Sequence, residues 1–170
     1  MEKFYNLLEE ALEAWGNVRN GLMEEVKNIP AEQFDFKPNS DVRSVRELIV
    51  HILEVAMMMT GELTRRDTDF HRAPWPELLD MYAREAYALQ TKEECIGLLK
   101  KQFEEALEKF KEVGELHMLQ FIKRFDGKPG TRLAWLQHGI AHEMYHRGQL
   151  VLYERLLGIE PALTRRIRES

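Results

Sequence analysis

The sequence predicts an all-α fold, a four-helix bundle with a long crossover between its second and third helices. Four long stretches carry apolar residues three and four apart with polar residues between them, the spacing of helices that bury one face. Two of these stretches open on a capping box, Ser44-Val-Arg-Glu47 and Thr91-Lys-Glu-Glu94, in which hydroxyl and glutamate satisfy free amides of a first helical turn. Glycine and proline breakers separate the stretches. A chain of 170 residues is long enough to bury a substantial core and fits a single domain, residues 1–170.

Helix one is predicted over Glu2 to Lys27, with Phe4, Leu8, Leu12, Trp15, Leu22 and Val26 among its apolar positions, and Asn28-Ile-Pro30 ends it. Phe34 and Phe36, between Pro30 and Pro38, predict a turn or short helix whose aromatics pack on the bundle. Helix two starts at Ser44 and presents Leu48, Ile52, Val55 and Met59, with His51 at the edge of that face and Glu47 and Glu54 placed to orient its ring. Met57-Met-Met59 reads as filler of irregular core space. From Thr64 to Gln90 the pattern is weak and predicts the crossover, with Trp75 between two prolines and His71 in a polar loop that reads as solvated.

Helix three is predicted from Thr91 to about Val113, with Gly114 closing it, and Leu116 to Phe125 is expected to fold over one end of the bundle. Thr131 caps helix four, which runs to Leu157 and stops at Gly158, with Pro161 beyond. One side of that helix carries Leu133, Leu136, Ile140, Met144 and Val151, which must be covered by the long loops or by another subunit.

The charge balance, 24 Lys and Arg against 29 Asp and Glu, is slightly acidic, and the basic residues are scattered except in Thr164-Arg-Arg-Ile-Arg168. No basic stripe is available for nucleic acid. The N-terminus lacks a signal pattern, and the longest apolar stretch, Leu48 to Met59, contains His51 and Glu54 and is too short to span a bilayer, so no membrane association and a cytoplasmic location are expected. Cys95 is the only cysteine, which excludes an intrachain disulfide and a thiolate zinc site. Its place among Leu98, Leu99 and Ala106 reads as a small buried hydrophobe rather than a nucleophile.

The chemistry concentrates in His138-Gly-Ile-Ala-His142-Glu-Met-Tyr-His146-Arg-Gly-Gln149. Imidazoles at every fourth residue stack on one side of a helix, and that stripe continues through Trp135, Gln149 and Tyr153. Two histidines at i and i+4 can hold one ion from a single helix, yet the same spacing suits core histidines bonded to carbonyls. A third ligand separates the two readings, and His51 is the natural one, although it too can be read as a core histidine.

The string Phe34-Asp-Phe-Lys-Pro38, then Ser44-Val-Arg-Glu-Leu-Ile-Val-His51, then His142-x-x-x-His146-Arg-Gly-Gln149 with Leu156-Leu-Gly158-x-x-Pro161, is similar in order and spacing to the DinB/YfiT-like family of small metal-binding four-helix bundles. The resemblance implies an up-up-down-down bundle, usually a homodimer, with a divalent metal on His51, His142 and His146. His138 is not among the family's ligands and is expected to line a pocket, as are Trp135, Gln149 and Tyr153.

Three imidazole ligands leave a divalent ion its full charge and at least one open position. Zinc or nickel fits such a set first, and iron is admissible. Relatives implied by the resemblance include transferases and isomerases that use low-molecular-weight thiols, so the first functional expectation is thiol transfer to a small electrophile. A zinc peptidase is the runner-up, because His142-Glu-Met-Tyr-His146 also spells H-E-x-x-H with Glu143 as general base, although no downstream helix offers a clear third-ligand carboxylate apart from Glu160 in a Gly/Pro-bounded turn. A bundle that uses its metal for stability, or binds a small molecule without turnover, is the third.

Overall fold

The structure, a computed structural model, describes residues 6–170, so the predicted helix start at Glu2 and its first apolar residue Phe4 lie outside the described residues. Helix α1 spans Leu7–Asn28, opened by a capping box between Asn6 and Glu9, and buries Leu8, Leu12, Trp15, Leu22 and Val26. Its extended C-cap Ile29 leads through a 3-10 turn at Ala31–Gln33, after which Phe34 is buried against the bundle as predicted. Helix α2 spans Val45–Thr64 on the Ser44/Glu47 capping box. The crossover contains two short helices, α3 at Trp75–Tyr82 and α4 at Arg84–Tyr87.

Helix α5 spans Lys92–Met118 on the Thr91/Glu94 capping box, and at Gly114 the backbone leaves helical geometry with φ +74°, a conformation that favours glycine. Strand β1, Phe121–Lys123, pairs antiparallel with β2, Pro129–Thr131, and Thr131 then caps helix α6, Arg132–Leu156. The hairpin closes one end of the bundle, with Ile122 buried beside Phe70 and Leu133. Helix α7, Ala162–Glu169, follows Pro161.

Helices α1, α2, α5 and α6 form the bundle, with α1 and α2 each packed on α5 and α6. At one end the core gathers Val26 and Ile29 of the α1 terminus with Val45 and Ile49 at the start of α2, Leu98 and Leu99 at the start of α5, and Leu150 and Tyr153 late in α6. The opposite end joins Leu8 and Leu12 to Met58 and Leu63, Phe110 and Met118, and Leu133 and Leu136. Helices α1 and α6 therefore run one way, and α2 and α5 the other. The predicted four-helix bundle stands, but its directions are up-down-down-up rather than the up-up-down-down order implied by the resemblance, because residues 29–44 stay at one end and turn α2 back. Helices α2 and α5 are parallel, which is why the connection between them must run the length of the bundle.

The C-terminal helix is docked through buried charge. Glu25 accepts from the amides of Ala162 at 2.7 Å and Leu163 at 3.4 Å, satisfying first-turn donors of α7, and from Arg147 at 3.2 Å. Beside it Glu154 is fully buried, with one oxygen accepting from Asn28 Nδ2 at 2.7 Å and the other without a partner. Burial pushes the Glu154 carboxyl up to about 8, with a further push from the neighbouring Glu25 charge, against the Asn28 hydrogen bond. A carboxyl raised on folding favours the native state most below its unfolded pKa, and that contribution fades as pH rises through the folded value. Denaturant midpoints are therefore expected to fall between about pH 5 and pH 9, and Glu154→Gln to flatten that part of the profile. A wild-type midpoint that stayed level or rose over this range would contradict the placement.

Candidate metal centre

His51 comes from α2, and His142 and His146 from successive turns of the antiparallel α6, so the three rings meet where the two helices face each other. His142 Nε2 lies 3.2 Å from His51 Nε2 and 3.0 Å from His146 Nε2, and ligand-capable nitrogens of all three fall within 4.8 Å of one another. His51 and His142 are half-buried and His146 is buried.

The outer nitrogens decide what the inner ones offer. His51 Nδ1 donates to Glu54 Oε1 at 2.6 Å, and His146 Nδ1 pairs with Gln149 Oε1 at 2.7 Å, which leaves the Nε2 atoms of both neutral rings as lone pairs aimed inward. A single N–H on His142 can satisfy one of them but not both. Convergent lone pairs are what a cation relieves, and an ion bonded to nitrogens at about 2.0–2.1 Å in tetrahedral geometry spaces them by roughly 3.3 Å, close to the separations here. Burial, with smaller repulsions from His146 and His51, lowers the His142 ring to about 3, and burial likewise lowers His146. Both rings are thus held in the neutral form that binds metal. The donor set fits a divalent ion.

An open cleft of about 600 Å³, lined in part by Arg43, Glu47, Leu48, Gln149 and Tyr153, adjoins the group at Gln149, the partner of His146, although none of the three histidines lines it. Gln149 and Tyr153 both line this cleft. Glu54 orients the His51 ring as expected, whereas Glu47 is engaged by the Ser44 amide at 2.7 Å and by Lys37 at 2.8 Å.

Three expectations need correction. His138 is exposed and stacks on Trp135 with centroids 4.6 Å apart and planes at 9°, and Trp135 in turn packs on Phe70 and Phe125. Both belong to an aromatic cover built by the crossover and hairpin, and neither lines the cleft. Glu143 turns away from the histidines into the core, where Arg19 Nε at 2.6 Å, Arg19 Nη2 at 2.9 Å and Trp15 Nε1 at 2.9 Å occupy both its oxygens. A carboxylate so committed is not free to serve as a general base. Within the apolar side of α6, Leu133 and Leu136 are buried and Ile140 packs partly against the same core, so the bundle's own chain covers much of that stripe.

The Arg19 network was not anticipated, although Arg19 lies one residue from Val18 and one turn from Trp15 and Leu22, within the apolar stripe of α1. Its Nη1 also donates to Leu99 O at 2.7 Å and Gln102 Oε1 at 2.8 Å. Cys95 is buried as expected, and burial pushes its thiol up to about 11. His71 is exposed and contacts Phe125 O at 2.7 Å, apart from the three-His group. No helix of the described residues is long and apolar enough to cross a membrane.

Comparison with known proteins agrees with this architecture. The fold is similar to the DinB-like protein YjoA of Bacillus subtilis at 21% identity and TM-score 0.67, over 88% of this chain and 92% of that one. It is also similar to YfiT of Bacillus subtilis, described as a probable metal-dependent hydrolase with an unusual four-helix bundle topology, at 15% identity and TM-score 0.67 over 94% of each chain. A mycothiol-dependent maleylpyruvate isomerase matches at 14% identity and TM-score 0.67, over 84% of this chain and 60% of its own. At these identities the likeness is one of fold. No curated protein matches the chain. A profile of the DinB family matches residues 1–169, nearly the whole sequence, and the chain belongs to that family.

Proposed function

We propose that this protein is a metal-dependent enzyme that transfers a low-molecular-weight thiol to a small electrophile, with one divalent ion held by His51, His142 and His146. The observation that carries the reading is the convergence of imidazole nitrogens at 3.0 and 3.2 Å, with two of the outer nitrogens engaged by Glu54 and Gln149. Zinc or nickel suits the set best, with iron next. Such an ion supplies a Lewis acid with an open position, which lowers the pKa of a bound thiol or water toward neutrality. Glu54 and Gln149 fix ring orientation and tautomer, and the cleft at Gln149 and Tyr153 admits a small molecule. The chain's own thiol, Cys95, is buried in the core, so the sulfur nucleophile has to come from a cosubstrate. Likeness of fold to a mycothiol-dependent isomerase supports the same chemistry.

The test is a screen of the metal-loaded protein with bacillithiol, mycothiol, glutathione and coenzyme A against small electrophiles. Consumption that requires both metal and thiol is the expected result, and no turnover with any of the four would remove the transferase reading. The peptidase reading loses its base, because Glu143 is held by Arg19 and Trp15. A metal that only stabilises the bundle is separable by chelation: activity should disappear while helical content persists, whereas a structural site would lose its fold with its metal.

We further propose a homodimer through the outer face of α6. Met144, Tyr145, Leu152 and Leu156 are all exposed there, at helical spacing. A two-fold partner presenting the same face would bury them by symmetry. Met144→Lys is expected to give monomers of unchanged helical content by sedimentation. A wild-type monomer at micromolar concentration would remove the dimer.

A further inference from the structure

Of the charged residues that line the cleft next to Gln149, namely Asp41, Arg43 and Glu47, only Glu47 is ion-paired among the described residues. Lys37 holds Glu47 at 2.8 Å, and Glu47 also accepts from the Ser44 amide at 2.7 Å. Arg46 is bound to Asp35 at 2.8 Å. Arg43, on the cleft wall, is exposed, and its guanidinium has no acceptor among the described residues, although the exposed carboxylate of Asp41 shares the rim.

The backbone that carries Arg43 is nonetheless fixed. The hydroxyl of buried Tyr153 donates to Arg43 O at 2.9 Å, and the Tyr153 ring packs edge-on against Phe36 at 5.9 Å. The next residue, Ser44, is the cap of α2, and Val45 N donates back to Phe36 O at 3.2 Å. The side chain is thus presented from an anchored corner, which lowers the ordering cost of any contact it makes. The same cleft is lined by Gln149, bonded to His146 at 2.7 Å, and by Leu48, one turn before His51. A planar, permanently charged fork here matches a carboxylate in two parallel hydrogen bonds, and hydrogen bonds to charged groups are stronger than neutral ones.

We propose that Arg43 receives a carboxylate of the small molecule handled at the three-His centre, so that its substrates are carboxylate-bearing acids. This rests on the metal reading above for the identity of the neighbouring centre. The carboxylate belongs either to the thiol or to the electrophile, and paired probes separate these sources.

In cobalt-loaded protein, 3-mercaptopropionate and 2-mercaptoethanol are titrated by their thiolate-to-cobalt absorption, and acrylate and acrylamide by calorimetry. Arg43→Met is expected to weaken at least one acid by about tenfold relative to its neutral partner, with cobalt content unchanged and Arg43→Lys recovering part of the loss. The pair that responds tells which substrate carries the carboxylate. Equal effects on acid and neutral probe in both pairs, or no effect in either, would overturn the proposal. A protein that takes up no cobalt would sink the metal reading alone. The Arg43 Nε resonance of the metal-free protein, titrated with 3-mercaptopropionate and acrylate, then decides: a saturable shift supports the contact, and no shift with either acid overturns it.

Discussion

Glu143→Ala is expected to destabilise the fold by about 3–5 kcal/mol, because it leaves the Arg19 guanidinium buried without its counter-charge. Arg19 is fully buried and Glu143 nearly so, and their two hydrogen bonds, at 2.6 and 2.9 Å, join α1 to α6 behind the histidines. The same arginine reaches Leu99 O and Gln102 on α5, so the loss falls on three of the four bundle helices at once. Glu143→Gln should cost less, since an amide oxygen still accepts from Arg19 or Trp15. Denaturant unfolding measures both. A Glu143→Ala protein as stable as wild type would mean that the pair is not formed, and a Glu143→Gln protein of native stability with abolished turnover would return Glu143 to catalysis.

Replacing His51, His142 or His146 by Ala is expected to strip the protein of its metal, because each removes one of three ligands. Elemental analysis after incubation with zinc and desalting should fall from about one ion per chain to near none. His138→Ala should keep wild-type content, since that ring stacks on Trp135 outside the cluster. Glu54→Gln should retain the site but weaken it by about 10–100-fold, the usual effect of losing a carboxylate that orients a ligating imidazole. Full occupancy in His51→Ala would show that α2 contributes nothing to the site.

The bundle helices were legible because their signals are local. The Ser44/Glu47 and Thr91/Glu94 boxes open α2 and α5 as read from the sequence, and Gly114 and Gly158 fall at positive φ where helical geometry ends. The hairpin was not legible, since strands of three residues leave no alternation to detect. Nor was α7, a short polar helix whose first turn is satisfied by Glu25 from a distant part of the chain. The directions of the helices depend on where residues 29–44 lie, which periodicity does not report.

His51 could be found from its position on a half-apolar face, and Glu54 from its spacing one turn on. Glu143 misleads because a string of letters carries no direction: a step of about 100° along the helix turns it from the His142 side into the core. Arg19 illustrates the reverse case. Its buried role follows from sitting inside the apolar stripe of α1, but its partner lies on another helix. Arg43 carries no sequence signal, and only the fold sets it beside the cleft.

A metal-dependent function requires that the three histidines bind one ion together. X-ray absorption at the metal edge of zinc- or nickel-loaded wild-type protein tests this most directly. The predicted spectrum is that of about one ion per chain, with imidazole nitrogens near 2.0–2.1 Å and at least one further light-atom ligand from solvent. A protein that retained less than about a tenth of an equivalent, or a spectrum lacking imidazole scattering, would contradict it.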